Sequence, residues 1–565
     1  MGFAYIDYVI FVAYGALILS IGLWVSRTKK GETKTAEDYF LAGKSLPWWA
    51  IGASLIAANI SAEQFIGMSG SGFAIGLAIA SYEWMAALTL LIVGKYFLPV
   101  FIKKGLYTIP EFVEQRYSTN LKTILAVFWI GLYIFVNLTS VLYLGATALD
   151  TIIGTGDGSL VMYSILGLSL FAASYSLWGG LAAVAWTDVV QVALLIIGGL
   201  VMTYLALDQV TPEGGFFRGL AYIYEVVPEK FSMIVSKGEI ITPNGRDAWL
   251  DLPGLAVIIG GLWVANLYYW GFNQYIIQRT LAAKSLKESQ RGIAFAAFLK
   301  LIIPLIVVIP GIIAYVLNMG PDGAVTAASL DPSFINSEGT VVNDNAAPWL
   351  ISNFIPAGLK GLVLAALAAA IVSSLASMVN STSTIFTMDI YKPYINPGAS
   401  QSAMVRVGRI TVAVALVIAV LVAPQLANLG QVFQYIQEYT GIVSPGILAV
   451  FLMGLFWRKA TNNAAIWGVL LSIPIAMYFK VGPKGWAEGS AMEVLFISLP
   501  FLQQMLYTCL LTIGIIMIVS QIENKGAADE KGLKLAPGYF ATGPVFNISA
   551  VAIMIILTAL YAIFW

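Results

Sequence analysis

Apolar segments about twenty residues long recur along the whole chain, separated by shorter stretches that hold most of the charges. A helix of that length spans the hydrocarbon core of a bilayer. The pattern therefore predicts an all-α polytopic membrane protein with about fourteen transmembrane helices. The predicted spans are residues 6–26, 46–69, 76–101, 123–151, 160–178, 182–207, 253–278, 292–317, 361–390, 407–427, 431–456, 464–481, 499–521 and 544–565.

Composition supports this class and excludes several functions. Of 565 residues, 59% are apolar and only 11% are charged, which is too few charges for a protein that faces water on all sides. The formal net charge is zero, so we expect no nucleic-acid partner. The chain has no His and a single Cys, Cys509, and no nucleophile–base pair is evident. We therefore expect neither an enzyme nor an organic cofactor.

Lysine and arginine are divided unevenly between the two sets of alternating loops. The set that begins with residues 27–45 holds 21 of the 30 basic residues, and the opposite set holds six. The positive-inside rule makes the first set cytoplasmic, and an even number of spans then places both termini outside. No Lys or Arg precedes the first span and no small-residue cleavage site follows it, so we expect a retained helix rather than a signal peptide. The predicted location is the plasma membrane, expected to be the inner membrane of a bacterium.

Two spans, the second and the seventh, are interrupted in the same way. Each opens with Leu-Pro, contains glycines and meets an Asn about a dozen residues later. They lie five spans apart, so a second five-span copy would start from the opposite side, as in the inverted repeats of many secondary transporters. Gly and Asn that only help helices to pack remain the alternative.

This organisation divides the chain into five parts. They are 1–45, the first helix and a cytoplasmic loop; 46–207, the first repeat; 208–252, an outer loop; 253–456, the second repeat; and 457–565, three peripheral helices.

The ninth span carries small and hydroxyl residues on one face. Ala370, Ser373 and Ser374 are spaced i, i+3 and i+4, so their oxygens share a side of the helix. Hard oxygen ligands suit a small cation. The alternative is a packing surface whose hydroxyls bond back to the preceding turn.

Several ionisable side chains fall inside the predicted spans, where charges are costly. They are Glu83, Asp188, Lys300 and Glu438, with Glu63 at the break of the second span. Glu83 and Lys300 could neutralise each other across a cavity, or serve only as an ion pair that holds helices together. Arg409 lies at the edge of the tenth predicted span and no Arg lies in the interior of any span, so the bidentate clamp for a carboxylate or phosphate is missing. This favours a neutral polar substrate.

Amides and aromatic rings stand near the predicted midplane. Amides and carboxylates bond hydroxyl groups and aromatic faces cover a C–H surface, which together suit a sugar. The alternative for the aromatics is an ordinary core or an interfacial belt. The residues concerned are Gln64, Asn266, Gln437, Tyr82, Tyr269, Trp270 and Phe433.

Four separated segments carry a family resemblance that covers essentially the whole chain. They are AANISAEQFIGMSGSG, GKYFLPVFIKKGLYTIPEFVEQRY, AALAAAIVSSLASMVNSTSTIFTMDIY and QEYTGIVSPGI. In this order they resemble the sodium/solute symporter family, which implies sodium-driven symport of a solute. The resemblance also implies a leucine-transporter-like core, a 5+5 inverted repeat with extra helices at both ends.

The resemblance assigns roles residue by residue. It implies sodium ligands at the carbonyls of Ala57, Ile60 and Ala370 and the hydroxyls of Ser373 and Ser374. Implied sugar-binding positions are Gln64, Glu83, Asn266, Lys300 and Gln437, and implied gates are Met68, Tyr82, Tyr269 and Phe433. Ala86 departs from the pattern, because sugar carriers of the family are expected to have a sugar-contacting Ser there.

A second sodium site of the family is only half present. Asp188 and Ser377 match it, but Ala376 offers no side-chain oxygen. We expect Asp188 and Ser377 to line the ion's exit path, and one Na⁺ to be coupled to each sugar, such as galactose or glucose, by alternating access.

Alternatives remain open at this point. One is sodium-coupled transport of another small polar solute, such as an amino acid, nucleobase or vitamin, and another is a passive sugar uniporter. A membrane sensor is disfavoured because the cytoplasmic segments are too short for a signalling domain. The expected partners are a neutral sugar, Na⁺ as the coupling ion and the lipid bilayer, and assembly into a homo-oligomer is compatible with the sequence.

Overall fold

The computed structural model describes residues 4–27, 34–153, 158–321, 323–326, 328–335, 339–428, 432–483 and 495–565. Within these ranges it is helical, with isolated bridges and no β-strand. The first helices are α1 Tyr5–Ser26, α2 Ala36–Leu41, α3 Trp48–Asn59, α4 Met68–Ala74, α5 Ser81–Ile92, α6 Leu98–Lys103, α7 Ile109–Arg116, α8 Thr119–Leu132, α9 Thr139–Ile153, α10 Val161–Asp208 and α11 Phe216–Val226. The later helices are α12 Leu255–Ile259, α13 Gly261–Phe272, α14 Gln274–Leu281, α15 Leu286–Val307, α16 Ile309–Leu317, α17 Ala346–Phe354, α18 Leu359–Ile385, α19 Gln401–Val422, α20 Val432–Phe456, α21 Asn462–Lys480, α22 Phe501–Asn524 and α23 Pro544–Ile563.

Helices occupy every predicted span. By length and hydropathy, 11 described helices can cross a membrane, or 12 if the pair bent by 76° between Ala248–Ile259 and Gly261–Phe272 is one span. Helix α10, with 48 residues, covers the fifth and sixth predicted spans and bends at Gly180, whose φ is 60°. A Cβ on Gly180 would lie 2.2 Å from the carbonyl oxygen of Tyr39, so the bend and the close approach both require glycine.

The second predicted span is broken, as the sequence indicates. Helix α3 ends at Asn59, and Ile60 adopts an extended conformation. The chain resumes as a π-helical turn over Glu63–Gly67 and then as α4. Irregular backbone at this depth leaves carbonyl groups without helical partners, and it is tolerated where it lines a cavity.

The seventh predicted span is interrupted twice. Helices α12 and α13 meet at Gly260, and α13 and α14 meet at Asn273, which is extended. A Cβ on Gly261 would lie 1.7 Å from the carbonyl oxygen of Leu502, so α13 packs directly on the backbone of α22. The two broken spans therefore place short, separately oriented helices in the interior.

Helix α18 is the most enclosed span, with 94% of its most apolar window buried, against 17% for α1 and for α23. The small and hydroxyl residues of α18 allow neighbouring helices to approach closely. Large apolar side chains cover the outer faces of α1 and α23, where lipid would surround them. The polar residues of α18 are therefore enclosed by protein.

The bundle has two distinguishable ends. At one, which we call the Leu46 end, the Leu46 amide donates to the carbonyl of Ala282 at 3.1 Å. At the opposite end, Asp7 of α1 accepts from the amides of Gly358, at 2.8 Å, and Gly361, at 2.7 Å, just before and within the start of α18.

The last helix finishes at the same end as the first begins. The Met233 amide, in the segment after α11, donates to the carbonyl of Phe564 at 2.7 Å. That segment also contacts the region before α18, because Asn244 Nδ2 donates to the carbonyl of Val341 at 2.9 Å. Helix α1 therefore begins, and α23 ends, at the face opposite the Leu46 end.

Lys230, between α11 and α12, closes the end of α4. Its Nζ donates to the carbonyls of Phe73, at 3.1 Å, and Ala74, at 2.7 Å, and lies 4.1 Å from the centre of the Tyr315 ring. A cation suits the carbonyl end of a helix. Burial nevertheless lowers the pKa of Lys230 to about 7, since the charged form loses hydration.

This burial predicts a pH-dependent stability. The pKa of Lys230 is lower in the folded than in the unfolded protein, so stability rises as pH increases above about 7, where the unfolded chain still binds the proton. Between pH 7 and pH 9 the gain should be roughly 2 kcal/mol. Thermal unfolding in detergent should show this slope in the wild type and lose it in Lys230→Met. The exposed Lys237→Met serves as the matched control, and equal slopes in all three proteins would contradict the prediction.

Candidate functional site

A central cavity lies at the two broken spans, between the end of α3, helices α4, α5 and α13, and α15, α20 and α22. About 570 Å³ is not filled by protein atoms, counting space open to solvent, and about 60 Å³ of it has room for the centres of water-sized molecules. All five predicted sugar-binding residues line it, together with three of the four predicted gate residues. They are Gln64, Glu83, Asn266, Lys300 and Gln437, with Met68, Tyr82 and Tyr269. The side chain of the fourth predicted gate, Phe433, lies outside the described residues.

The cavity wall is built around a buried ion pair. Lys300 Nζ contacts Glu83 Oε2 directly, and the two side chains are 0% and 5% exposed. The ammonium also donates to Asn59 Oδ1 and lies 5.0 Å from the centre of the Trp270 ring. The pairing considered from the sequence is therefore present, and it joins α15 to α5 and to the end of α3.

Two side-chain amides line the cavity, and in each of them either the oxygen or the NH₂ group is already hydrogen-bonded. Gln64 Oε1 accepts from the Ser61 amide at 3.1 Å and from Ser61 Oγ at 2.9 Å. Asn266 Nδ2 donates to the carbonyl of Leu262 at 3.2 Å. Gln64 therefore offers its NH₂ group to a solute and Asn266 offers its oxygen, a donor and an acceptor that suit hydroxyl groups.

Tyr269 lies between the cavity and the Leu46 end. Its hydroxyl accepts from Asn59 Nδ2 at 3.0 Å and from the Tyr275 hydroxyl at 2.8 Å. Asn59 thus contacts both Lys300 and Tyr269. The floor of the cavity and the ion pair in its wall are consequently linked through one side chain.

One predicted sodium ligand, Ser374, reaches the end of α3 where α18 crosses the break. Ser374 Oγ donates to the carbonyl of Ala58 at 3.1 Å, so the hydroxyl face of α18 touches the end of α3. The Ser61 amide donates to Gln64 instead of continuing the helix, which leaves the carbonyl of Ala57 without its usual helical donor. Ala57, Ile60, Ala370, Ser373 and Ser374 are all buried. Neutral oxygens from two backbones and two hydroxyls fit a monovalent cation.

The residues predicted for the exit path adjoin this set. Ser373 Oγ donates to Asp188 Oδ1 at 2.6 Å, and Ser377 Oγ donates to the carbonyl of Ser373 at 2.6 Å. Asp188, Ser373 and Ser377 are all 0% exposed. The carboxylate therefore bonds directly to one of the proposed sodium ligands.

Arg279 is a site residue that was not predicted from the sequence. The sequence placed it in a cytoplasmic loop, whereas α14 continues through it and its side chain is 0% exposed, so a buried arginine is present after all. Its Nη2 lies 3.6 Å from Asp188 Oδ2, and its Nε donates to Ser54 Oγ at 2.8 Å. The available signal was the run of polar side chains at Gln274, Gln278 and Arg279, which continues the seventh predicted span past its predicted end.

Asn59 was also missed as a site residue. It stands between two predicted sodium ligands, Ala57 and Ile60. In the sequence it served only as a sign that the second span is broken. A polar side chain at the last position of a broken helix turns toward the interior. Its contacts with Lys300 and Tyr269 depend on residues more than 200 positions away.

Together, broken helices around a polar, enclosed cavity define a helical membrane transporter. The family description "Sodium:solute symporter family" matches residues 39–472 of the chain. A sodium/glucose cotransporter of Vibrio parahaemolyticus is 58% identical over 100% of this chain and 99% of its own. Sodium/glucose cotransporter 4 of Danio rerio is 33% identical over 91% of this chain and 78% of its own.

One solved structure shares the fold. A Na⁺-coupled sialic acid symporter, described as substrate-bound and outward-open, has a TM-score of 0.76 and 23% identity, and the match covers 94% of this chain and 99% of that one. The chain belongs to the sodium:solute symporter family. This confirms the resemblance and the expectation that the protein is a transporter and not an enzyme.

The buried ion pair generates a stability prediction. Glu83→Gln or Lys300→Met alone should destabilise the protein by roughly 3–5 kcal/mol, because each leaves its partner charged and buried without a counter-charge. The double variant should be more stable than either single variant, since no charge is left unpaired. Thermal unfolding in detergent of all four proteins measures this non-additivity. Additive losses would show that the two groups are solvated separately.

Proposed function

We propose that this protein is a sodium-driven symporter of a neutral sugar that works by alternating access. The observation that carries the proposal is the shared break after α3. It borders the cavity lined by Gln64 and, through Ala58, meets the hydroxyl of Ser374. A solute and an ion bound on either side of one broken segment would each stabilise the same arrangement of it.

The chemistry of the cavity favours a sugar. A carboxylate, an ammonium, an amide donor and an amide acceptor surround it, with Tyr269 and Trp270 as aromatic surfaces. The ammonium of Lys300 is already neutralised by Glu83, so the wall carries no excess charge to attract an ionic solute. A neutral molecule rich in hydroxyl groups satisfies these groups best.

The named relatives support the same substrate class. The Vibrio relative, which is 58% identical, is named a sodium/glucose cotransporter, which supports glucose or galactose. Ala86 lines the cavity and supplies no hydroxyl. The pattern of sugar hydroxyls preferred here should therefore be read mainly by Gln64, Asn266 and Gln437.

The proposed sodium site uses the carbonyls of Ala57, Ile60 and Ala370 and the hydroxyls of Ser373 and Ser374. An ion there would join α3 to α18 and hold the break in one geometry. We propose one ion per sugar, because Ala376 provides no oxygen for a second site, and Asp188 and Ser377 then line the ion's exit.

We propose fourteen membrane crossings, with spans 2–6 and 7–11 as the inverted repeats and the Leu46 end in the cytoplasm. The excess of basic residues at that end supports this orientation. The end of α23 and the start of α1 at the opposite face support an even number of crossings, with both termini outside. The proposed location is the plasma membrane, which would be the inner membrane of a bacterium.

The function is tested by uptake of labelled sugars into proteoliposomes under imposed Na⁺, K⁺ or H⁺ gradients. A membrane potential of about 100 mV and a tenfold Na⁺ gradient should accumulate glucose or galactose about 500-fold if one ion is coupled to each sugar. A second ion would square that ratio. Equilibration without accumulation would instead identify a passive uniporter, and sodium-driven uptake of amino acids, nucleobases or vitamins would identify the other alternative.

The sodium site is tested by Ser374→Ala. Loss of one of about five oxygen ligands should abolish sodium-dependent uptake while the protein remains folded. The reason is that the remaining ligands replace too few of the water molecules that Na⁺ loses when it binds. Thr382→Ala is the matched control: it lies on the same helix, is buried, and its hydroxyl bonds the carbonyl of Met378 at 2.8 Å. Sodium dependence that is unchanged in Ser374→Ala would overturn the assignment.

A further inference from the structure

We propose that Arg279 is a latch that keeps the cytoplasmic pathway closed until the ion leaves its site, a role that rests on the proposed sodium-coupled transport. Arg279 holds α14 to three other helices. Its Nε donates to Ser54 Oγ of α3 at 2.8 Å, and its Nη2 contacts Ser377 Oγ of α18 and lies 3.6 Å from Asp188 Oδ2 of α10. A third nitrogen, Nη1, donates to the carbonyl of Tyr275 in its own helix.

These contacts lie between the central cavity and the Leu46 end. Helix α3 runs from the Leu46 end past Ser54 to Asn59 at the cavity, and α14 leads from the cavity to Ala282, which bonds Leu46. The guanidinium therefore lies between the cavity and the proposed cytoplasmic face, on the route that we assign to a leaving solute or ion. Opening that route requires at least some of its contacts to break.

Both charges of the latch are enclosed. Arg279 and Asp188 are 0% exposed, and Ser54 and Ser377 are also buried. A buried guanidinium is stable only with its counter-charge and with partners for its N–H groups. Breaking the contact with Asp188 therefore requires another partner for the guanidinium, since removing Asp188 from the pair leaves a charge uncompensated.

The same carboxylate joins the latch to the proposed sodium site. Asp188 Oδ1 accepts from Ser373 Oγ at 2.6 Å, while Oδ2 faces Arg279. Ser377, which Arg279 contacts, donates to the carbonyl of Ser373 at 2.6 Å. A sodium ion that moves from Ser373 toward Asp188 brings a competing positive charge to the carboxylate. Release of the ion and release of Arg279 then become one event.

The latch also reaches the floor of the sugar cavity. Tyr275, whose carbonyl Arg279 bonds, donates through its hydroxyl to Tyr269 at 2.8 Å. Tyr269 in turn accepts from Asn59, which contacts Lys300. Displacement of Arg279 therefore acts on the turn of α14 that supports Tyr269, so that ion release precedes sugar release.

The test measures sodium leak and sugar accumulation in proteoliposomes. In Arg279→Gln, uptake of radioactive sodium without sugar should rise by about tenfold or more, the ratio expected for loss of a hydrogen-bonded contact to a charged group. Steady-state sugar accumulation should fall, while sodium-dependent sugar binding in detergent persists. In Arg279→Lys, which keeps the charge beside Asp188 but cannot make all these contacts at once, the leak should be intermediate.

Arg116→Gln is the matched control for loss of a buried arginine. Arg116 is also 0% exposed and pairs with Asp529 at 3.3 Å, but its other contacts are carbonyls of Gly454, Trp457 and Ala460. A merely structural role predicts that Arg116→Gln and Arg279→Gln both lower the amount of active protein and that neither leaks sodium.

A double-mutant cycle with Asp188→Asn distinguishes a latch from a non-specific disturbance of the structure. If Arg279 acts through Asp188, the double variant should leak no more than the more leaky single variant. Wild-type leak and accumulation in a folded Arg279→Gln would overturn the proposal, and so would strictly additive effects. Where Arg279→Gln does not fold, Arg279→Lys decides by the same measurements. A wild type that accumulates no sugar on a sodium gradient would instead refute the proposed function, whatever the variants do.

Discussion

The ion pair between Glu83 and Lys300 is the interaction on which the interior of this protein depends. Charges at membrane depth are stable only when they are paired and hydrogen-bonded. Lys300 meets this requirement by contacting Glu83 and Asn59 and by facing the Trp270 ring. The pair thereby orients α5, α13 and α15 and the end of α3 around one polar cavity, and the cavity stays neutral overall.

The break after α3 follows from the same demand that buried polar groups be satisfied. Continuing the helix would consume the carbonyls after Ile56 in the backbone ladder. Instead Ser61 bonds Gln64, and Ser374 of α18 bonds the carbonyl of Ala58. The irregular backbone is thus supported by the side chains of both proposed sites. Two ligands that contact one segment are energetically linked, and this linkage acts equally in both directions.

A second buried pair, Asp188 with Arg279, lies nearer the Leu46 end and has a different character. Glu83 and Lys300 touch directly, whereas Arg279 and Asp188 are 3.6 Å apart and each is also bonded to serine hydroxyls. Hydroxyl groups can donate or accept, so this cluster can exchange partners without leaving a charge bare. A rigid pair at the cavity and an exchangeable one on the pathway suit a protein that must hold a solute and then open.

The sequence by itself determined the membrane class, the positions of the long apolar helices, the two breaks and the hydroxyl face at Ser373 and Ser374. These are local properties, written in segment length, helical periodicity and residues that interrupt helices. The tertiary structure decided the roles of Asn59 and Arg279, whose partners lie far away in the chain. Helix boundaries are weakly encoded, so an arginine at the edge of a span reads as a loop residue until packing shows that α14 continues. Which buried charge meets which partner depends on how the helices cross, and spacing along one helix carries no record of that.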